Sequence, residues 1–351
     1  MDRKEKIIIG LAILATLMAG VVHFADAGAI FLFIASAAAL ALLAMIVGDA
    51  TEQLGTRLGP GATGVLQSSL GNLPELFVCI FALRAGLVGL VQAALIGSIL
   101  GNALLVLGIA LLLGGLKNGT QTFHRGPPKM IVTLMILAVA ALSFPTLAKQ
   151  LHTPAESHVN ALDIVCAIVL LILLAANTYF SVKGDPAVAA TSEESGAAEW
   201  SVMTSLIVLA GAGVGAAFVS DWFVASLEPV MARLGLSEAF TGLVVVAIAG
   251  NSIENVVGIQ FAWRNQADYA LSIILNSSLQ VALGLIPILV LISFVLGGSI
   301  LTLVIPPLLV AALALAAIIN AFIVYDGESI WLEGLALIGL YSIVAAAFWW
   351  G

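Results

Sequence analysis

Eleven apolar stretches, each long enough to cross a bilayer, follow one another along this chain. They lie near residues 7–23, 28–55, 61–84, 87–114, 129–148, 159–182, 200–225, 237–263, 267–296, 300–324 and 330–350. One helical crossing takes about 17–25 residues. A soluble fold has nowhere to hide them: 62% of the 351 residues are hydrophobic and 9% charged, where a soluble domain has about a quarter of its residues charged. Lipid is therefore the solvent for most of the chain. In lipid every backbone amide and carbonyl must be paired internally, which leaves helices or a closed barrel. The stretches are helix-sized, so the expected fold is an all-α polytopic membrane protein with 11 transmembrane helices.

The first stretch follows Met1–Lys6 and has the outline of a leader peptide. No small-residue cleavage site followed by a soluble domain comes after it, so it is expected to be the first span. Two connections stand out: Leu116–Lys129, with Gly119, Gly126, Pro127 and Pro128, and Gly184–Trp200, with Asp185, Glu193, Glu194 and Glu199. The second is a polar, acidic linker after the sixth span. With the N-terminus inside, cytoplasmic loops hold Arg3, Lys4, Lys6, Arg57, Lys117, Arg125, Lys129, Lys183 and Arg264, and outer loops hold Arg84, Lys149 and Arg233. That bias fits a cytoplasmic N-terminus. The expected location is a prokaryotic cell membrane. The net charge of −8 leaves no basic face for phosphates, so no nucleic-acid partner is expected, and it suits a protein that handles cations. Cys79 and Cys166 sit in apolar runs and are expected to be core residues rather than a disulfide or a metal pair.

The two halves repeat. Leu70–Gly71–Asn72–Leu73–Pro74–Glu75 matches Ala249–Gly250–Asn251–Ser252–Ile253–Glu254, and Phe81–Ala82–Leu83–Arg84 and Phe261–Ala262–Trp263–Arg264 follow them. Gly97–Ser98–Ile99–Leu100 and Asn276–Ser277–Ser278–Leu279 keep the offset of 179 that separates the two glutamates. A repeat of five spans is odd in number, so its second copy crosses the bilayer in the opposite sense. The expected plan is one N-terminal helix (1–27) plus two inverted five-helix repeats (28–183 and 200–351), joined by a cytoplasmic linker (184–199). Secondary transporters built this way hold their substrate at the midplane between the copies.

Glu75 and Glu254 fall mid-span. A lone carboxylate there costs ~3 kcal/mol or more, so each must be protonated, paired or cation-bound, and no Lys or Arg shares their depth. Two facing carboxylates make a hard-oxygen site that suits Ca2+; the alternative, a protonated core glutamate, does not account for the repeat. Asn72 and Glu75 are three apart, as are Asn251 and Glu254, which on a helix puts each pair on one face. Gly71, Pro74 and Gly250 weaken the helix and could free carbonyls as ligands, or the glycines serve close helix packing. Ser98 and Asn102 are four apart. Ser277 is kept in the second copy, where Val281 stands opposite Asn102 and Gln280 is its polar neighbour. These side chains fit either further ligands or interhelical hydrogen bonds. Asp49, Glu52, Asp221 and Glu228 belong to the spans that open the repeats. Glu52 and Asp221 are candidates for a proton or ion access path, and Asp49 and Glu228 for solvated helix ends. The four histidines fall at loops, and Asp49 has no mid-membrane partner with which to form a protease-like pair.

At these residues the sequence resembles the calcium/cation–proton exchangers, a branch of the calcium/cation antiporter superfamily. The likeness runs from Gly71-Asn72-Leu73-Pro74-Glu75 through Phe81-Ala82-Leu83-Arg84-Ala85-Gly86 to Gly97-Ser98-Ile99-Leu100-Gly101-Asn102. It resumes from Gly235-Leu236-Ser237-Glu238 through Gly250-Asn251-Ser252-Ile253-Glu254 to Asn276-Ser277-Ser278-Leu279-Gln280. The resemblance implies that Glu75 and Glu254 are the central cation-binding acids, with Asn72, Asn251, Ser98, Ser277 and Gln280 as polar neighbours and Glu52 as an acid of the span opening the first repeat. It implies a secondary antiporter, not an enzyme, exchanging Ca2+ and other divalent cations for H+ by alternating access. No cofactor is implied beyond the transported Ca2+ and H+. Two features depart from the pattern: Asn255 stands where the family usually has His, and Leu73-Pro74-Glu75 is also similar to the sodium–calcium exchanger signature. Exchange against Na+ is therefore the alternative, and a passive cation channel a more distant one. The oligomeric state stays open.

Overall fold

A computed structural model describes residues 3–58, 70–183, 200–250 and 252–349. They are overwhelmingly helical. We number the helices α1 (Arg3–Phe24), α2 (Ala29–Leu58), α3 (Leu73–Arg84), α4 (Val88–Asn118), α5 (Gly126–Gln150) and α6 (Val159–Lys183). Then come α7 (Val202–Leu234), α8 (Glu238–Gly250), α9 (Ser252–Trp263), α10 (Ala267–Ser293), α11 (Pro307–Ile323) and α12 (Trp331–Trp349). Among the described residues eight helices are long and apolar enough to cross a membrane, and Glu238–Gly250 and Pro307–Ile323 are shorter apolar helices.

Local chemistry sets the helix ends. Ser201 caps α7 by accepting the Thr204 amide at 3.1 Å, and Ser237 caps α8 by accepting the Phe240 amide at 3.0 Å. Both are hydroxyl caps on orphan first-turn amides. Helix α7 stops at Gly235, which takes the left-handed conformation (φ 64) that spares glycine a Cβ clash.

Several boundaries recur in the two halves. Helices α3 and α9 are both 12 residues long, and their first residues stand 179 positions apart (252 minus 73). The first residues of α4 and α10 keep the same spacing (267 minus 88). Each of these long helices also widens into a π-turn, at Gly101–Val106 in α4 and Val281–Leu285 in α10. π-turns are rare and concentrate at functional positions.

Two compact units divide the chain: Met1–Leu87 with Ala176–Leu236, and Val88–Ala175 with Ser237–Gly351. Each takes residues from both expected repeats. In the first unit α7 lies along α2 and also packs on α1 and α3. A run of small residues on α7 makes the close approach possible. A Cβ on Gly213 would stand 3.2 Å from the Leu73 side chain, and one on Gly215 3.2 Å from that of Leu43. Trp222 covers Gly20 of α1 and stacks on His23 at 5.4 Å.

In the second unit α4 and α10 are the core: 78% of the apolar window of each is buried, against 28% for α12. Helix α8 crosses α4 backbone to backbone. A Cβ on Gly97 would collide with the backbone of Leu243, and one on Gly242 with the backbone of Leu90. Glycine at a crossing lets helices meet by van der Waals packing where lipid supplies no hydrophobic drive.

Three expectations change. The stretch 237–263 holds two described helices where one was expected, α8 to Gly250 and α9 from Ser252, with Asn251 outside the described residues. The stretch 300–324 becomes helical only at Pro307. Residues 297–306 run as a non-helical strap, since Gly297 takes φ 69 and the Pro306–Pro307 pair disfavours helix before it. The all-α reading also gains a small exception: Gln121–Thr122 (β1) pairs antiparallel with Glu328–Ser329 (β2), with Gln121 opposite Ser329.

Candidate cation site

Glu75 is the third residue of α3 and lies in its first turn. The chain turns at Gly71–Asn72 just before it, and Pro74 occupies a first-turn position where its missing amide hydrogen has no helical acceptor to lose. First-turn amides point away from the helix body, and the N-terminal end carries the positive pole. A carboxylate here therefore meets a favourable field. The group is 3% exposed. Packing of α3 on α7, with Leu73 against Gly213, holds it there, and the buried Cys79 follows one turn along the same helix.

Asn72 and Glu75 stand at the cap and the third position of one helix start. Asn72 is the residue before the helix, with φ −93 and ψ 21, and its side chain makes no cap hydrogen bond. Its carbonyl accepts the Leu76 amide at 2.9 Å, so that oxygen belongs to the helix. Gly71 lies in the turn.

Glu254 is also the third residue of its helix, α9; it is described as a backbone position. Asn251 lies outside the described residues. Gly250 ends α8. The far end of α9 is pinned inside the second unit. Lys117 Nζ donates to the Trp263 carbonyl at 3.0 Å and lies 4.4 Å over the Trp263 ring, and Gln121 Nε2 donates to the Ala262 carbonyl at 2.9 Å. A cation and an amide at the last carbonyls satisfy the negative pole of this half-helix.

The four polar candidates on α4 and α10 take different places. Asn102, in the π-turn of α4, donates through Nδ2 to Ser277 Oγ of α10 at 2.9 Å, both side chains buried. For this pair the interhelical bond is realised. Ser98 is 1% exposed one turn earlier on α4, and Gln280 is half-buried at the end of the regular part of α10. The candidates for an access path behave differently: Glu52 and Asp221 are both exposed. Sequence reading passed over one relation. Asp49 and Glu228, on α2 and α7, are also 179 positions apart (228 minus 49); the offset of the glutamates was the signal that finds them.

A glutamate thus stands in the first turn of α3 in the first unit, and another in the first turn of α9 in the second. Carboxylate oxygens suit a hard cation. The sodium/calcium exchanger protein family matches residues 28–183 and 204–350. A Ca2+/H+ antiporter of Synechocystis sp. is 34% identical over 370 residues, covering 99% of this chain and 98% of the relative. The Ca2+/H+ antiporter ChaA of Bacillus subtilis is 33% identical over 353 residues, covering 99% of each. The solved structure of native YfkE superposes with a TM-score of 0.82 at 31% identity, over 97% of this chain and 99% of that one. The chain belongs to the sodium/calcium exchanger protein family, in its calcium/cation–proton exchanger branch.

Proposed function

We propose that this protein is a secondary antiporter that moves Ca2+ against H+ across a membrane, and that Glu75 and Glu254 carry the load. The observation that carries the reading is the recurrence of one local device. A glutamate stands third in a 12-residue helix that starts after a break, twice, 179 positions apart (254 minus 75). Two relatives that align with nearly the whole chain and are named Ca2+/H+ antiporters support the choice of ions.

The mechanism follows from charge. Two carboxylates are neutralised by one divalent cation or by two protons. Either load can face an apolar barrier, whereas the empty dianion is held back by the cost of an uncompensated charge in lipid. Obligatory exchange results, because an unloaded carrier does not switch sides. Gln280, Ser98, Gly71 and Gly250 complete the donor set in this reading, with Asn72 and Asn251 contributing amide oxygens; Glu52 and Asp221 serve the approach of ions. The recurring helix bounds and π-turns support an arrangement of 11 transmembrane helices, one N-terminal helix plus two inverted five-helix repeats, with α8 and α9 as one interrupted span. The nine-to-three bias of Lys and Arg supports a cytoplasmic N-terminus.

The test is calcium flux in proteoliposomes with the two gradients imposed separately. An acid interior drives Ca2+ inward, and a protonophore abolishes the uptake. Uptake driven by a sodium gradient at equal pH, and not by the proton gradient, overturns the proton reading in favour of Na+ exchange. A linear, unsaturable flux with neither gradient overturns exchange itself.

A further inference from the structure

Asp163 takes no part in the site above, yet it is a buried acid of the second unit. It is the fifth residue of α6, within the apolar span Pro154–Ser181, and is 1% exposed. Neither of its carboxyl oxygens has a hydrogen-bond partner among the described residues. The two ion pairs there, His124–Asp268 and His152–Glu156, do not reach it. The groups that face it are the Cys166 thiol, three residues along its own helix, and the backbone of Leu303 in the strap. Among the described residues no charged side chain of another element joins them.

The strap 299–305 is the cover. Leu301, Leu303 and Ile305 are 1%, 2% and 4% exposed. Non-helical backbone at this depth survives only with its polar groups satisfied, and three side chains satisfy it, Ser293 by accepting the Leu301 amide at 3.0 Å. Gln92 Nε2 donates to the carbonyls of Thr302 at 2.8 Å and Val304 at 3.1 Å. Thr146 Oγ1 donates to the Leu303 carbonyl at 3.1 Å and accepts the Ile305 amide at 2.9 Å. Asp163 lies beneath a segment that side chains hold down by a handful of hydrogen bonds.

A carboxylate in this place meets no side-chain donor among the described residues, and only the Leu303 backbone of the strap faces it. Charge without compensation is too costly to bury, so a covered acid here favours its neutral form. A permanently neutral acid with no hydrogen bond is itself a net loss to the fold, whereas a hydrocarbon side chain of similar size is not. The position makes physical sense for a group that gives up its proton at another stage.

We propose that Asp163 is a second proton-binding site of this protein, separate from Glu75 and Glu254, which loads and releases its proton when the strap 299–305 lifts from α6. The chemistry is one O–H bond formed from the carboxylate and a proton of water when the strap is open, and the reverse on release. The proton site itself stands on the structure; its role in coupling rests on the exchange reading above.

Two measurements separate these. Infrared difference spectra of the purified protein in lipid, taken across a pH titration, read the carboxyl directly. A protonated-carboxyl band that is lost in Asp163→Asn and shifted in Asp163→Glu is expected; identical spectra for wild type and Asp163→Asn overturn the site. In acid-loaded proteoliposomes, Asp163→Asn is expected to flatten the pH profile of calcium uptake, with Asp163→Glu restoring it. An unchanged pH profile in Asp163→Asn overturns the coupling role. If wild type takes up no calcium under a proton gradient, the exchange reading falls while the spectra still decide the site. If Asp163→Asn does not fold, Asp163→Glu carries the spectral test, and an unshifted band overturns the proposal.

Discussion

Single side chains give the sharpest tests. Glu75→Gln keeps the shape and removes the charge of a 3%-exposed carboxyl. Losing one of two ligand carboxylates is expected to lower calcium uptake by at least about tenfold, since each ~1.4 kcal/mol is a factor of ten; Glu254→Gln is expected to match it. Proton-driven uptake near the wild-type rate in either variant removes both from the site. The Asn102–Ser277 bond makes a different claim. A double-mutant cycle of Asn102→Ala and Ser277→Ala, read by thermal unfolding in detergent, is expected to give a coupling of about 0.6 kcal/mol, the usual value between membrane helices. The two acids are legible in the sequence because a carboxylate stands out against an apolar run. The Asn102–Ser277 bond is not, because Ser and Asn have many satisfactory partners and helix packing chooses among them. Asp163 broke the same apolar rule as the glutamates, but it has no twin in the other half to draw attention to it.

At the scale of elements, the breaks matter as much as the helices. The stretch 237–263 reads as a single span by hydropathy, since hydropathy averages over a window and cannot see one turn. Helix α8 ends at Gly250 and α9 begins at Ser252, as α3 begins after the turn at Gly71–Asn72. Glycine at crossings is similarly silent until the partner backbone is known. Gly97→Ala places a methyl against the Leu243 backbone; overpacking of this kind costs about 1–3 kcal/mol, and a lowered unfolding temperature of the purified protein is expected. The strap allows a companion test. Thr146→Val leaves the Leu303 carbonyl and the Ile305 amide without the hydroxyl. A buried polar group left unsatisfied costs about 1–3 kcal/mol, so faster hydrogen exchange at the Ile305 amide is expected, and exchange as slow as in wild type would show that the hydroxyl does not hold it.

For the whole molecule, chain order and compactness divide it differently. The repeats expected from the sequence are 28–183 and 200–351, while the compact units take Met1–Leu87 with Ala176–Leu236 and Val88–Ala175 with Ser237–Gly351. A carrier that exposes its load to one side and then the other needs parts that each keep their own core. Here the second unit has α4 and α10 buried at its centre, and the first has α7 packed along α2. Exchange across such a molecule is saturable and counter-ion dependent. Calcium release from loaded vesicles into medium free of both protons in excess and other cations is expected to stall, and adding acid outside is expected to restart it; steady release without a counter-ion would sink alternating access.

By itself the sequence determined the solvent, the helical class, the doubled motif and the two glutamates, because each is a local contrast: apolar against polar, or one short pattern met twice. Only the tertiary structure decided where the described helices end, that residues 297–306 form a strap with Leu301, Leu303 and Ile305 turned inward, that Asn102 joins Ser277 and that Asp163 is covered. These depend on which backbones approach each other and on which distant donors meet a given carbonyl. Such pairings join positions as much as 212 residues apart, as with Gln92 and Val304, and nothing local to either residue specifies them.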